Sequence, residues 1–360
     1  MKAAIIAAVV VAVVLVLCAV VVPVAIVLLR QQQRRQPSST LMPLHDLTGE
    51  ALFRHVSYKP FSKPLSGPSS ATWKAGRVHR PPLAMTAPVH VWTTGPFSLL
   101  NRPKVLQDAL KTWVARGPRG LVTHWFDDSG MQEYIARHFP GHLQDYNNLV
   151  PGAYRADLWR LLVLLREGGL YADSGVHIAG ALKDVQSFWD QYFQAHFVMI
   201  DDHNPDVSNS VFQGVLGARS PGHPLLAEAL GQVTANIRGQ KYGRNALDIT
   251  GPCAVGAAIT AALDRANPEF LKTMRDPVSG HWRPGMYDCG PTLGTILVLR
   301  YRSRLVLGTT GALLFDTKVP SYYETLYGQN QHQQQHYRTL WDSKQVFRQA
   351  KDHEKLRAPN

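Results

Sequence analysis

The chain has 360 residues, 45% of them hydrophobic, enough for one large domain or two ordinary ones, and a formal net charge of +12. Lys2, Arg30, Arg34 and Arg35 flank an apolar N-terminal run, and removing these four leaves +8, so the remainder is basic. That balance suits an anionic ligand such as a nucleoside diphosphate, a nucleic acid or an acidic membrane surface, and charge alone does not choose among them.

Residues 3–29 carry no charge over 27 positions. About 20 apolar residues span a bilayer as a helix, so this segment is long enough even with Pro23 inside it. It is too long for a cleaved signal peptide, and the reading is an uncleaved signal anchor following a two-residue tail. The three arginines that follow the span oppose a lumenal C-terminal domain under the positive-inside bias. Cys253 and Cys289 lie outside the span and form one possible disulfide, with two free thiols at least as expected.

Residues 30–84 read as a stem, opening on the polar stretch RQQQRRQPSST. Ordered alternation begins at Ala87–Pro96, a short apolar strand closed by Gly95-Pro96. A helix is expected from Pro103 to Val114, a second strand from Leu121 to Phe126, and another helix from Met131 to His138. Asp127 and Asp128, between that strand and that helix, read as capping acids.

The run YRADLWRLLVLLREGG then places Leu158, Leu161, Leu162 and Leu165 on one helical face, with Trp159, Val163 and Leu164 apolar elsewhere. A helix apolar all round is a buried one, packed against a sheet. Gly168-Gly169 supplies a left-handed cap, and the next strand stops at Asp173. Strands alternating with helices imply an α/β domain with a largely parallel sheet, whose ligands bind beyond the C-terminal strand ends. Asp157 and Arg160 lie three apart on the buried helix and share a face, as an internal ion pair or as a grip on ligand hydroxyls. Farther on, helices are expected at PGHPLLAEALGQVTANI and DITGPCAVGAAITAAL, and two short strands in RLVLGTTGALLF.

The order Arg155-Ala156-Asp157, Arg160, Gly168-Gly169, Tyr171, Asp173 resembles glycosyltransferase family 32, with its DxD sugar-binding region, and is similar to the catalytic domains of clostridial glucosylating toxins and of the yeast initiating mannosyltransferase. The resemblance extends to PVHVWTT with His90 and Trp92, HWFDD with Asp127 and Asp128, GHPLL from Gly222, TGP from Thr250, and HYRTLW from His336 to Trp341. It covers residues 85–347 and leaves 348–360 as a polar tail. It implies a GT-A-like nucleotide-sugar-binding fold with a mainly parallel central sheet, preceded by the transmembrane helix, and a single-pass protein of the Golgi or endomembranes. The activity implied is transfer of a hexose, with retention, from a nucleotide sugar to a glycan, lipid or protein acceptor.

Ionised carboxylates accept hydroxyl donors, and a departing diphosphate needs a cation or basic side chains. The resemblance accordingly directs Asp157 and Arg160 to the donor sugar and Asp173 to ribose and sugar, as the residues that carry the reaction. Donor contacts are implied at Tyr171, His90, Trp92, Asn209 and Trp341. The second DxD acid, which would hold Mn2+ or Mg2+, is Gly175 here. Three outcomes stay open: a metal held by Asp173, the diphosphate and His336; basic groups such as Arg338 or Lys344 in its place; or a nucleotide-sugar-binding pseudoenzyme. A nucleic-acid binder is disfavoured, since no Lys/Arg cluster lies outside the stem. His177 reads as a strand-surface histidine.

Overall fold

The computed structural model describes residues 88–98, 100–202, 209–320, 322 and 336–348. The chain divides into two units, residues 1–42 and 43–360, and every described residue lies in the second. The proposed anchor (3–29), stem (30–84) and most of the polar tail fall outside the described residues. Among those described, no helix is long and apolar enough to cross a membrane.

The chain begins with β1 (His90–Thr94), α1 (Lys104–Arg116), β2 (Val122–Phe126) and α2 (Asp128–His138). After a 3-10 turn come α3 (Leu143–Asn148), α4 (Gly152–Glu167), β3 (Gly169–Ala172) and β4 (His177–Ile178). Next are α5 (Leu182–Gln194), β5 (Phe197–Asp202), β6 (Val215–Ala218), α6 (Pro224–Arg238), α7 (Pro252–Ala266) and α8 (Pro268–Met274). The described chain closes with β7 (Gly285–Asp288), α9 (Gly290–Leu293), β8 (Thr295–Arg302), β9 (Leu305–Leu307), β10 (Leu313–Asp316) and α10 (Tyr337–Asp342). Within the described residues, the helices and strands expected from the sequence are present, with ends shifted by a few residues.

Helices cover both faces of one sheet, so its central strands are apolar at consecutive positions and the two-residue period sorts them into two cores. Val91, Leu170, Val198 and Leu297 face the side of α1 and α5, with Trp113, Phe188 and Phe315. Trp92, Tyr171, Met199 and Val298 face the side of α2, α4, α6 and α7. The α4 helix is buried almost throughout, from Tyr154 to Leu164, as its all-round apolarity predicts. Its end is set by Gly168 and Gly169, both at positive φ (+70° and +92°), a conformation that glycine adopts without the Cβ penalty.

The strand order is β2-β1-β3-β6-β5-β8-β9-β10-β4, with β7 on β8. This corrects the expectation of a mainly parallel sheet. Only β1–β2, β1–β3 and β5–β8 pair in parallel, and the other pairings are antiparallel. β6 runs antiparallel between β3 and β5, and β8–β9 is a tight hairpin through Ser303 and Arg304, both at positive φ (50° and 68°). Neither is a residue that signals such a turn by itself. The pairing at the end of the order has the largest effect on the shape of the sheet: β4, a few residues beyond β3, pairs with β10, Ile178 opposite Phe315 and His177 opposite Asp316. The sheet therefore curls until the far end of its strand order returns beside the loop that leaves β3.

Gly169 tests how closely this scaffold is drawn together. A Cβ there would lie 2.5 Å from the His90 carbonyl oxygen and 2.9 Å from Trp92 Nε1, at a φ that L side chains avoid. Gly169→Ala is expected to cost about 2–4 kcal/mol in urea denaturation. Gly231→Ala, at an exposed position of α6 with open space around it, should instead stabilise by about 0.5–1 kcal/mol.

Candidate functional site

The parallel pair β1–β3 delivers Thr94 and Asp173 to the same edge of the sheet, at the C-terminal ends where such sheets bind ligands. β6 enters from the opposite direction, and the Asp173 amide donates to the Gly214 carbonyl at 2.8 Å. α4 passes alongside and presents Asp157 and Arg160. Two adjoining recesses open there, of about 150 and about 180 Å³, and Ala153, Arg160 and Asp173 line both. Thr94, Asp128 and Tyr322 face the first; Asp157, Gln213 and Tyr337 face the second.

Arg160 is the hub. Its Nη2 lies 3.1 Å from Asp157 Oδ1 and 3.4 Å from Asp173 Oδ1, and its guanidinium sits 4.4 Å from the centre of the Tyr171 ring. The Tyr171 hydroxyl donates to Asp173 Oδ1 at 2.8 Å, and the Thr250 hydroxyl donates to Asp157 Oδ2 at 2.7 Å. Burial alone would lower the pKa of Arg160; Tyr171, Asp157 and Asp173 outweigh it and hold the guanidinium charged. Burial pushes Asp157 up to about 6, against the pull of Arg160 and the Thr250 hydrogen bond. Tyr171 is raised well above the ordinary tyrosine value by burial and stays a neutral donor.

Gln213 completes the lining. It is 2% exposed; its Nε2 donates to the Thr250 carbonyl at 3.4 Å, and its Oε1 has no hydrogen-bond partner. A buried amide oxygen left unsatisfied costs about 1–3 kcal/mol unless something donates to it, and here it belongs to a residue of the recess. The sequence alone does not mark Gln213 or Thr250 as a site residue. TGP signals a helix start, and a glutamine within Phe212-Gln213-Gly214 carries no pattern.

His90, Trp92, Asn209 and Trp341, implicated from the sequence, do not line these two recesses. His90 and Trp92 lie on β1 away from its ligand-facing end. Trp92 is fully buried, stacks on His124 at 4.1 Å and donates from Nε1 to the Gly168 carbonyl at 2.8 Å. His90 Nδ1 and His124 Nε2 are 2.9 Å apart, and burial lowers both pKa values, that of His124 to about 3. The two imidazoles hydrogen-bond to each other where burial disfavours their charge. Asn209 lines a separate recess and accepts from Arg275. Trp341 donates from Nε1 to the Tyr242 carbonyl at 2.7 Å, and Lys344 sits over the Tyr242 and Trp341 rings. It is Tyr337, within the same HYRTLW element, that reaches the recess. Asp127 caps α2 by accepting from the Gly130 amide at 2.8 Å, as expected, whereas Asp128 lines the recess and pairs with Arg155 at 2.9 Å. Cys253 and Cys289 are free thiols, each raised to about 12 by burial.

The side chains present do not make the expected metal site. A Cβ at Gly175 would fall 2.5 Å from the Tyr322 ring, so the volume of a second acid is taken by an aromatic side chain. His336 caps α10, its Nδ1 accepting from the Arg338 amide at 3.3 Å. Among the described residues no three His, Cys, Asp or Glu side chains are grouped as a cation would need.

Residues 103–193 match the family described as "Glycosyltransferase sugar-binding region containing DXD motif". The solved structure of PaToxG Glycosyltransferase matches with 14% identity over 51% of this chain and 72% of that one, at a TM-score of 0.34. No curated protein matches.

Arg160→Met would leave Asp157 a buried carboxylate without its cation, and unfolding in urea at pH 7 should show a loss of about 3–5 kcal/mol. The folded-state pKa of Asp157 already lies above its unfolded value and would rise further. The loss should therefore shrink as the pH falls through that raised value, because a protonated Asp157 no longer needs a cation.

Proposed function

We propose that this protein, whose residues 103–193 match a family model described as a glycosyltransferase sugar-binding region, transfers a hexose from a nucleotide sugar to a glycan, lipid or protein acceptor. The observation that carries the reading is the single buried guanidinium that holds Asp157 and Asp173 together at the edge of two recesses, beside a buried amide oxygen without a partner. Such a constellation is costly as mere scaffold and suits a polyhydroxylated ligand. Asp173, Asp157 and Gln213 accept from hydroxyls of sugar and ribose, and Arg160 keeps both carboxylates in place.

Both carboxylates are committed to Arg160, which favours binding over nucleophilic attack. We accordingly assign retention to attack by the acceptor hydroxyl on the face from which the nucleoside diphosphate leaves. The new bond joins acceptor oxygen to anomeric carbon, the bond from that carbon to phosphate oxygen breaks, and the acceptor proton passes to the leaving phosphate. The proposed setting is a single-pass membrane protein of the endomembranes, anchored by residues 3–29, with residues 30–84 as stem and 85–347 as transferase domain. Protease protection of sealed membranes would assign the side on which that domain lies.

A second reading has its own observation: with the second DxD position filled by Gly175 and Tyr322, the fold could bind a nucleotide sugar without transferring it.

Incubating the full-length chain with a panel of UDP-, GDP- and ADP-sugars and candidate acceptors should give glycosyl product from one donor, with the anomeric configuration retained. Donor binding without turnover would favour the second reading, and neither binding nor turnover would remove both. Asp173→Asn should weaken donor affinity about 10- to 100-fold. Gln213→Leu should weaken it about tenfold while leaving the fold intact by circular dichroism. Donor affinity should also fall as the pH drops from 7 to 5, since Asp157 gains a proton near pH 6 and loses an acceptor site.

A further inference from the structure

Asn209 lines a third recess, of about 580 Å³. That volume falls within the range of small-molecule sites, about 300–1,000 Å³, which neither recess beside Arg160 reaches. The third recess lies at the same edge of the sheet. β6 is antiparallel to both β3 and β5, so β5 ends on the side where β3 ends, and the Ser210 hydroxyl donates to the carbonyl of its last residue, Asp202, at 3.3 Å.

Two segments of chain build the wall between this recess and the second one. Asn209 and Ser210 line the third recess, and Phe212 and Gln213 line the second. Leu247, Gly251 and Pro252 line the second, and Asp248 and Cys253 line the third. The segments are fastened to each other: the Val211 amide donates to the Pro252 carbonyl at 3.1 Å, and Gln213 Nε2 donates to the Thr250 carbonyl. A ligand seated in the third recess has only this wall to cross to bring its end beside Asp157 and Asp173.

The lining is polar and close to neutral. Among the described residues, Arg244 and Asp248 are the only charged side chains in it, with Nε and Oδ2 3.9 Å apart. Its amides are held by the scaffold. Arg275 donates to Asn209 Oδ1, Gln232 Nε2 donates to Asn236 Oδ1 at 2.9 Å, and the Leu247 amide donates to Asn245 Oδ1 at 2.7 Å. These bonds leave donor capacity at Asn209 Nδ2 and acceptor capacity at Gln232 Oε1, and the Arg244 side chain is 92% exposed. Hydroxyls both donate and accept, so such a mixture suits a neutral polyhydroxylated ligand. A lipid tail would find little apolar lining beyond Ala254 and Ala257, and an anion would find one cation already near an acid.

Resting on the nucleotide-sugar reading above, we propose that the third recess holds the acceptor and that the acceptor is a neutral oligosaccharide. Its terminal hydroxyl reaches past the wall of 209–213 and 247–253 to the donor sugar. The step is the one given above: acceptor oxygen bonds to the anomeric carbon, the bond to phosphate oxygen breaks, and the proton leaves with the phosphate. Asn209, which touches neither recess beside Arg160, is on this assignment an acceptor contact.

Saturation-transfer NMR of the full-length chain with mannobiose, lactose, maltose and diacetylchitobiose tests the proposal without relying on turnover. At least one of these neutral disaccharides should bind. Ala257→Trp, which places an indole in the recess from an exposed position of α7, should weaken that binding at least about tenfold, and Gln232→Ala about three- to tenfold. Both variants should keep the wild-type circular dichroism and bind the nucleotide sugar within about twofold of the wild type. Nucleotide-sugar binding with no disaccharide bound overturns the proposal alone, as does disaccharide binding that Ala257→Trp leaves unchanged. Disaccharide binding lost in Ala257→Trp, in a chain that binds no nucleotide sugar, would overturn the acceptor role together with the reading on which it rests.

Discussion

A guanidinium held at 6% exposure between two carboxylates is the constraint from which the rest of the site is organised. Arg160 must stay charged, and it does so because Asp157 and Asp173 face it and the Tyr171 ring lies beneath it. Three elements are thereby tied at one point: α4 through Asp157 and Arg160, β3 through Tyr171, and the loop beyond β3 through Asp173. Each partner has a further support, Thr250 for Asp157 and Tyr171 for Asp173. An ion pair of this kind adds little net stability, since desolvation consumes most of the Coulomb attraction. What it provides is preorganisation, with carboxylate oxygens fixed in place before any ligand arrives.

The curl of the sheet shapes the same edge from the other side. Because β4 pairs with β10 and not with a neighbour of β3, the segment after β10 is laid across Gly175. A glycine at that position accommodates the ring of Tyr322, and an aspartate would not. The glycine and the aromatic ring that covers it are one packing solution.

The aromatic and imidazole side chains of β1 show where residue identity misleads. His90 and Trp92 have the chemistry of ligand contacts, yet both serve the scaffold. A fully buried tryptophan must place its indole N–H, and Trp92 places it on the Gly168 carbonyl. The imidazoles of His90 and His124 satisfy each other in a region where burial excludes their charge. Trp341 likewise closes a carbonyl of the Tyr242 backbone. In each instance the polar atom that suggested function is taken up by a hydrogen bond within the scaffold.

Much was legible in the sequence itself. The all-round apolarity of α4, the glycine pair that ends it, the strand after it and the acid at that strand's end stem from local propensity and periodicity, which act over a few residues. The spacing of Asp157 and Arg160 determined that they share a helix face, a matter of helical geometry alone. Tertiary structure decided what faces them. That β6 is antiparallel, that Gln213 carries a partnerless oxygen into the recess, that Tyr337 and not Trp341 reaches it, and that Thr317 and Tyr322 return to Gly175 all depend on contacts between segments tens to more than a hundred residues apart. Such contacts are set by which surfaces bury one another when the sheet closes, and no local pattern records that choice.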